Sequence, residues 1–204
     1  LEFPSGIDGE QMHCLLGTLY MQAMLKPFHK LNRRTYGASR STHSLSASYP
    51  YVQYTDLYDH ETFLRATANM GFSGQLWVPE VRDAQSETDL LRRIQSLILS
   101  PKAKVNGWMF PHPPWLQPKL EKNKKHELLE DSNLEDQIRR LFRFRMSLIP
   151  YLYSAFAAYY FTGKPPFRAL VMDWPGDHNV YNIDDQWMVG PSLMIAPLTA
   201  EQEK

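Results

Sequence analysis

The sequence lacks the features that mark disulfide-rich, membrane-spanning and nucleic-acid-binding proteins. Its one cysteine, Cys14, can form no internal disulfide, and the apolar helical pattern around it predicts a buried thiol without a chemical role. Basic and acidic residues both number 22, so no excess of one sign attracts nucleic acid or an anionic membrane. No apolar run is long enough to cross a bilayer. We therefore expect a globular protein whose partner is small or neutral.

The common motifs that bind nucleotides or zinc, or that activate a serine, are also missing. No phosphate loop, dinucleotide fingerprint, CxxC, HExxH or GxSxG segment occurs. Seven histidines are present, but His60 and His112, the two that lie near other candidate residues, lack the spacing of metal ligands. We therefore predict no metal site and no cofactor.

What the sequence does contain is ample apolar and aromatic material. Hydrophobic residues make up 43% of the 204 positions, which suffices for a sizeable core, and aromatic residues make up 13%. Aromatic side chains serve as stacking platforms in sugar-binding clefts, although core packing uses them as well.

The centre of the chain is a repeat of strand, charged loop and helix. An aromatic extended run over residues 49–55 ends at Asp56, and a helical pattern follows over 60–70. A short apolar run over 73–78 then leads into a second charged loop. In parallel barrels the loops after the strands carry the chemistry. The candidates for one site are Asp56, Glu80, Arg82 and Asp83.

Other periodic segments extend this alternation towards both ends of the chain. They predict an amphipathic helix over 9–31, a strand over 36–41 that ends on Arg40, a helix capped by Ser86 and ended by Pro101, a strand over 103–108, a long helix from a capping box at Ser132 to Gly163 with a kink at Pro150, and strands over 167–172 and 187–196. Asp59 is predicted to cap the helix that starts at residue 60.

Ordered segments over nearly the whole chain resemble glycoside hydrolase family 31, the α-glucosidase and α-xylosidase family. They are Met12-His13, Leu16-Gly17-Thr18-Leu19-Tyr20, Arg40-Ser41 followed sixteen residues later by Asp56, Gly71-Phe72-Ser73-Gly74, Leu91-Arg92-Arg93-Ile94-Gln95 with Ser100-Pro101, Leu148-Ile149-Pro150-Tyr151-Leu152-Tyr153, and Gly190-Pro191-Ser192-Leu193-Met194-Ile195-Ala196-Pro197. The resemblance implies an α/β fold, with the C-terminal half of a (β/α)8 TIM barrel over residues 1–165. The barrel exit and the beginning of an all-β sandwich domain would then occupy residues 166–204.

The chain departs from the family pattern at several site positions. The usual Trp-x-Gly-Asp is Gln53-Tyr54-Thr55-Asp56, and Ser48 replaces an arginine eight residues before the aspartate. Pro79-Glu80-Val81-Arg82-Asp83 replaces Asp-Ile-Gly-Gly-Phe, and Asn106 replaces the histidine that ends the eighth strand. These departures indicate a divergent subgroup.

The resemblance implies that Asp56 is the general acid/base of a retaining α-glycosidase. Such enzymes need a second carboxylate as nucleophile. In the family that residue follows the fourth barrel strand, so it would lie upstream of Leu1, and we expect residues 1–204 alone to be an inactive fragment. An alternative is that Asp56 only forms an ion pair with Arg40 or Arg82.

The resemblance and the strand-end positions together predict the substrate-binding residues Arg40, Trp77, Glu80, Arg82, Asp83, Asn106 and Trp108. The two tryptophans fit a sugar platform and a barrel plug equally well, and the charged residues after 79 also fit a surface ion-pair network. Arg40, Asp56, Arg82 and Asn106 should converge on one concave face, because parallel strands point their C-terminal ends the same way.

Two other functions stay open. One is a non-catalytic relative that binds carbohydrate or stabilises a partner subunit, which Ser48 and Asn106 make plausible. The other is a metal-dependent barrel hydrolase, which would lose activity on chelation. The expected partners are a carbohydrate substrate and the remainder of a longer chain, with no nucleic acid and no membrane-spanning segment.

Overall fold

The described residues, which are 3–109, 112–116 and 133–199 of this computed structural model, form helices around two small sheets. The strands are β1 (Gly37–Ser39), β2 (Tyr51–Tyr54), β3 (Trp77–Val78), β4 (Phe167–Ala169), β5 (Trp187–Val189) and β6 (Leu193–Ile195). The α-helices are α1 (Gly9–Lys30), α2 (His60–Asn69), α3 (Glu87–Ile98), α4 (Leu134–Ser147), α5 (Ile149–Thr162) and α6 (Leu170–Asp173).

The first sheet is parallel, with the order β1-β2-β3. A parallel bridge between Val81 and Val105 continues the same ladder by one more segment. The predicted strand over 103–108 is therefore reduced to a single bridge. The chain turns immediately afterwards, where the Met109 N–H donates to the Asn106 carbonyl at 3.2 Å. All four segments end at the same edge of the sheet, which is the edge where the candidate site residues lie.

The parallel sheet rests on an apolar core supplied by the following helices. Phe63 of α2 and Leu90, Ile94 and Leu97 of α3 are each at most 4% exposed. Burial of one such side chain stabilises the fold by roughly 1.5–3 kcal/mol. The Ser86 hydroxyl accepts from the Asp89 N–H at 3.1 Å, which confirms the predicted N-cap of α3. The strand ends are thus carried on a well-packed base.

The helix predicted over 9–31 is confirmed as α1, but its predicted buried face is wrong. Leu16 and Tyr20 are 55% and 52% exposed, and Cys14 is exposed rather than buried. The helix instead packs through Gly17, whose N–H donates to the Ser41 carbonyl at 2.9 Å. A side chain at residue 17 would overlap backbone oxygens of the 40–41 segment, so glycine allows this close approach.

The long helix predicted up to Gly163 is two helices, α4 and α5, that meet at Leu148. Pro150 occupies the first turn of α5, where a missing N–H leaves no hydrogen bond unmade, so it starts a helix rather than kinking one. The predicted cap residue Ser132 lies outside the described residues. On α4, Arg145 donates to the carbonyls of Ile98 and Ser100 at 2.8 and 2.6 Å, which ties this helix to the end of α3.

The second sheet is antiparallel, with the order β4-β5-β6. The strand predicted over 167–172 stops at Ala169 and becomes α6, and the strand predicted over 187–196 is a hairpin that turns at Gly190, where φ is +59°. Phe167, Trp187 and Val189 belong to the same apolar cluster as the buried residues of α2 and α3. Because the core is continuous, the burial pattern does not divide residues 1–165 from 166–204, and that boundary stays a prediction.

Candidate active site

The C-terminal ends of the parallel segments bring the predicted residues together through one continuous set of contacts. Arg40 follows β1, Asp56 follows β2, Glu80 follows β3, and Asn106 follows the bridge at Val105. Arg40 contacts Asp56, and Glu80 contacts Asn106. Two tyrosines, described below, connect these two pairs to each other and to Arg82.

Asp56 is an exposed carboxylate held by two partners. Arg40 Nη1 and Nη2 donate to Asp56 Oδ2 and Oδ1 at 2.8 and 2.7 Å, a bidentate pair whose side chains are 55% and 49% exposed. The Tyr58 hydroxyl donates to Oδ1 at 2.6 Å. The hydrogen bonds from Arg40, followed by that from Tyr58, hold the pKa of Asp56 well below its usual range. The carboxylate is therefore ionised in this arrangement and open to solvent.

The ion pair with Arg40 is the alternative that the sequence offered to a catalytic role for Asp56. The two are compatible, because the pair is solvent-exposed and a bound substrate can approach the carboxylate. An ionised carboxylate serves as a general base, and a second negative charge close by would raise its pKa towards that of a general acid.

Glu80 lies at the corresponding position after β3, but its side chain is completely buried. Its Oε1 accepts hydrogen bonds from the Tyr54 hydroxyl at 2.9 Å and from Asn106 Nδ2 at 2.6 Å. Lys104 Nζ lies 2.7 Å from Oε2, an ion-pair distance without the angle of a hydrogen bond. The prediction that Glu80 binds substrate directly is wrong for this arrangement, because protein groups cover both oxygens. For Glu80 the surface ion-pair alternative does not apply either, since its side chain is buried.

Tyr54 joins the exposed and buried groups. Its ring lies between two cations, with Arg40 Cζ 4.6 Å and Lys104 Nζ 3.9 Å from the ring centroid. Burial, and then the hydrogen bond to Glu80, raise the pKa of Tyr54 far above its ordinary value, so the phenol stays neutral and donates. The sequence reasoning missed Tyr54 and Lys104. Each lies two positions before a predicted residue, Asp56 or Asn106, and the period of two in a strand places such pairs on the same side.

Arg82 is connected to Asp56 through Tyr58. The guanidinium carbon of Arg82 lies 4.2 Å from the centroid of the Tyr58 ring, and Arg82 Nη2 contacts Met109 Sδ at 3.6 Å. Arg82 thus joins Arg40, Asp56 and Asn106 in the arrangement expected from the sequence. Asp83 is half-buried and makes no hydrogen bond with another described residue.

The two candidate tryptophans have opposite environments. Trp77 is 5% exposed and packs edge-to-face on Phe63 with the ring centroids 5.8 Å apart. The platform prediction for Trp77 is therefore wrong, and its packing alternative is the one observed. The Trp108 side chain is 91% exposed, and the backbone N–H of Trp108 donates to Asn106 Oδ1 at 3.0 Å. An exposed indole is no barrel plug, and its role as a sugar platform stays a prediction.

Asp59 has the structural role predicted for it. Its carboxylate accepts from the Thr62 N–H and the Thr62 hydroxyl, both at 2.8 Å, which makes it the N-cap of α2. These hydrogen bonds lower its pKa. The cap residue lies three residues after Asp56 and fixes the start of α2, so it limits how far the intervening loop can move.

Metal-ligand clusters and helices of membrane-spanning length are absent from the described parts of the chain. There, no three His, Cys, Asp or Glu side chains gather as a metal site would require. None of the helices described has the length and apolar character to span a membrane. Two cavities of about 580 and 710 Å³ contain none of the predicted site residues. The larger is lined by Pro50 and Tyr51, at the opposite end of β2 from Asp56.

Each part of this chain matches a known domain. The family description "Glycosyl hydrolases family 31 TIM-barrel domain" matches residues 2–155, and "Glycosyl hydrolase family 31 C-terminal domain" matches residues 163–204. An alpha-xylosidase of Saccharolobus solfataricus is 34% identical over 109 residues, which are 53% of this chain and 13% of that protein. An alpha-xylosidase of Emericella nidulans is 23% identical over 99% of this chain and 26% of its own length.

A solved structure extends the likeness to the fold. The cycloalternan-forming enzyme from Listeria monocytogenes, in complex with a pentasaccharide substrate, superposes with a TM-score of 0.79 at 21% identity over 99% of this chain and 20% of that chain. The chain thus spans a quarter or less of the length of most of these proteins. The predicted α/β fold, a barrel half followed by a C-terminal domain with an antiparallel sheet, is confirmed. With matches to both domains in order, the chain belongs to glycosyl hydrolase family 31.

Proposed function

We propose that the protein carrying this chain is a retaining α-glycosidase that hydrolyses O-glycosyl bonds of a carbohydrate, with Asp56 as the general acid/base. The observation that carries the proposal is the geometry of Asp56. It is an exposed carboxylate at the C-terminal end of a parallel strand, oriented by Arg40 and Tyr58, in a chain of this family. The similar proteins named alpha-xylosidase support an α-linked sugar substrate.

Asp56 would act twice in the reaction. As an acid it gives its proton to the glycosidic oxygen while the nucleophile attacks the anomeric carbon, so the leaving group departs as an alcohol and a glycosyl-enzyme forms. As a base it then takes a proton from the water that attacks the same carbon, which releases the sugar with its configuration retained. The nucleophile is expected from a part of the protein outside residues 1–204.

The two steps need different protonation states of Asp56. Its surroundings favour the ionised form that the second step needs, whereas the protonated form that the first step needs requires a negative charge nearby. The Arg40 pair keeps the carboxylate ionised, as a base must be. Retaining enzymes place their two carboxyl groups about 5 to 5.5 Å apart. A nucleophile at that distance adds a like charge that opposes ionisation of Asp56 and favours the protonated acid. The loops after the C-terminal ends of the parallel segments form a rim, which we call the strand-end rim. We propose that Arg82, Asp83 and Trp108 contact the sugar there.

A non-catalytic, carbohydrate-binding or subunit-stabilising relative is the second candidate. The closed Arg40–Asp56 pair favours it, because a bidentate arginine–carboxylate pair can also have a purely structural role. The substitution at Ser48 supports it less than the sequence suggested, since Ser48 lines the cavity at the start of β2 and lies away from the strand-end rim.

The experiment is an activity assay of the whole protein with α- and β-linked glucosides and xylosides, with the product anomer read by proton NMR. We expect turnover of an α-linked substrate and initial release of the α-anomer. Asp56→Ala should lower turnover of a natural α-glycoside by about 10²- to 10⁴-fold.

The matched control is Asp184→Ala. Asp184 forms an ion pair with Arg65 at 2.5 Å and is 49% exposed, like Asp56, but it lies outside the strand-end network. Its replacement should leave turnover unchanged. Absence of turnover in the unmodified protein, or full activity in Asp56→Ala, would contradict the proposed function.

A further inference from the structure

Tyr58, like Tyr54 and Lys104, is a site residue that neither the family pattern nor the sequence reasoning singled out. It lies in the loop between β2 and α2, two residues after Asp56. Its hydroxyl donates to Asp56 Oδ1 at 2.6 Å, while its backbone and its ring are each held by a different segment of the fold.

We propose that Tyr58 is a positioning residue for the Asp56 carboxylate, and that Arg93 and Asp89 of α3 hold Tyr58 in place. This inference deepens the proposed function and rests on it. Tyr58 acts on the reaction through Asp56 and need not touch the sugar.

The anchor of Tyr58 is a buried ion pair on α3. Arg93 Nη1 donates to the Tyr58 carbonyl at 2.6 Å, and Arg93 Nε donates to Asp89 Oδ1 at 2.8 Å. The side chains of Arg93 and Asp89 are only 16% and 7% exposed, and Asp89 Oδ2 also accepts from the Gln85 N–H at 2.9 Å. A guanidinium that binds both Asp89 and the Tyr58 carbonyl is a rigid support for the loop.

The ring of Tyr58 is restrained as well. Arg82 stacks over it at 4.2 Å, and Arg82 comes from the loop after β3 rather than from the loop of Tyr58 itself. The phenol is therefore fixed at its backbone by α3, at its ring by the β3 loop and at its hydroxyl by Asp56. Three restraints from three segments leave the hydroxyl little freedom to leave the carboxylate.

This arrangement makes the two oxygens of Asp56 unequal. Oδ1 accepts from both Arg40 Nη2 and the Tyr58 hydroxyl, whereas Oδ2 accepts only from Arg40 Nη1 among the described residues. A carboxylate oxygen accepts about two hydrogen bonds. The free lone pair is therefore on Oδ2, and Oδ2 is the oxygen that exchanges the proton with substrate and water.

The ionisable groups around Asp56 come from several elements. They are Arg40 after β1, Tyr54 on β2, Tyr58 in the same loop, and Arg82 after β3, with Glu80 and Lys104 reached through Tyr54. Of these, Arg40 and Tyr58 donate directly to the carboxylate. Removal of the Tyr58 donor should change the acidity of Asp56 without changing any charge at pH 7.

The test is Tyr58→Phe in the whole protein, which deletes one oxygen and keeps the ring under Arg82. The pKa of Asp56 is followed by ¹³C NMR with labelled aspartate carboxyl groups, and the signal is assigned by its loss in Asp56→Asn. We expect the pKa of Asp56 to rise, and the alkaline limb of the kcat/KM profile to move upward by about one pH unit. KM should change little, because the role proposed for Tyr58 is exerted through Asp56.

Two further variants separate positioning from general damage. Tyr181→Phe deletes a hydroxyl that donates to the Pro175 carbonyl at 2.7 Å, away from the site, and should leave both readouts unchanged. Arg93→Lys keeps the charge but loses the fork that holds the Tyr58 carbonyl. It should shift the Asp56 pKa in the same direction as Tyr58→Phe, by a smaller amount.

The outcomes distinguish this inference from the proposed function. An unchanged Asp56 pKa in Tyr58→Phe, or an equal shift in Tyr181→Phe, overturns the positioning role even if the protein is an active glycosidase. A raised pKa in a protein that hydrolyses no α-glycoside supports the positioning of the carboxylate and overturns the proposed function.

Discussion

Asp56 and Glu80 occupy the same position in two successive βα units, yet their environments are opposite. Each lies two residues after the end of its strand. The Asp56 side chain is 49% exposed, whereas that of Glu80 is 0% exposed. Asp56 keeps a free lone pair on Oδ2, while Tyr54, Asn106 and Lys104 cover both oxygens of Glu80. A strand-end position alone therefore does not identify a reactive carboxylate.

We expect the difference in burial to give the two carboxylates different roles, one in stability and the other in chemistry. An exposed ion pair contributes little to folding because water screens it. A buried carboxylate is costly to ionise without partners, and removal of either side leaves the other unpaired. We expect the buried group to set the stability of the strand-end rim and the exposed group to set its reactivity.

The largest expected effect on stability is that of Glu80→Ala. The substitution leaves the Lys104 ammonium, the Tyr54 hydroxyl and the Asn106 amide without their common acceptor. The free energy of unfolding should fall by about 3 to 5 kcal/mol, measured by urea titration of the whole protein. Glu61→Ala, which replaces an exposed glutamate on α2, is the control and should have little effect. Equal stability of Glu80→Ala and the unmodified protein would show that the buried carboxylate does not stabilise the strand-end rim.

A second buried group predicts a pH dependence. His60 is 5% exposed, and its Nε2 lies 3.0 Å from the Ser96 hydroxyl, while Nδ1 has no hydrogen-bond partner among the described residues. Burial, and then the nearby Arg93, lower the pKa of His60 to about 4. Because the unfolded chain binds a proton near the ordinary value of 6.5 and the folded one does not, stability is complete above that pH and falls as the pH drops towards 4.

The loss attributable to His60 should reach up to about 3 kcal/mol across that window. Urea titrations at several pH values measure it, and His60→Gln, which cannot titrate, should show a flatter profile. A profile of the same slope in both proteins would show that His60 does not titrate differently on folding.

The smallest expected effect on stability is that of Asp56→Asn. Its urea midpoint should equal that of the unmodified protein within error at pH 7, since the carboxylate is half in solvent. The same variant should be strongly impaired in turnover. A large loss of stability would mean that Asp56, like Glu80, has a mainly structural role.

The sequence predicted the elements and the strand-end residues better than the partners of those residues. The repeat of strand, loop and helix placed Arg40, Asp56 and Asn106 on one edge, because the direction of parallel strands follows from chain order. It did not reveal that Tyr54 joins Glu80 to the Arg40 side. Contacts across strands depend on register and on how far a side chain reaches, and a local pattern contains neither.

The errors in the fold have the same origin. The apolar stripe of α1 predicts a buried face, but the helix packs through Gly17, whose small size matters only once the neighbouring loop is in place. The sequence places Trp77 near a strand end, as a sugar platform would be, yet in the structure its ring packs on Phe63. Local periodicity gives the element, whereas the packed neighbours decide which face is buried.

The most direct test of the central claim is how strongly turnover by the Asp56→Ala variant depends on the acidity of the leaving group. If Asp56 protonates the glycosidic oxygen, turnover of an α-linked disaccharide should fall by about 10²- to 10⁴-fold, and that of an aryl glycoside with an acidic phenol should fall much less. Azide should partly restore turnover and give the α-glycosyl azide, because it attacks the glycosyl-enzyme without needing a base. Equal loss on both substrates, or no loss on the disaccharide, would contradict the role of Asp56.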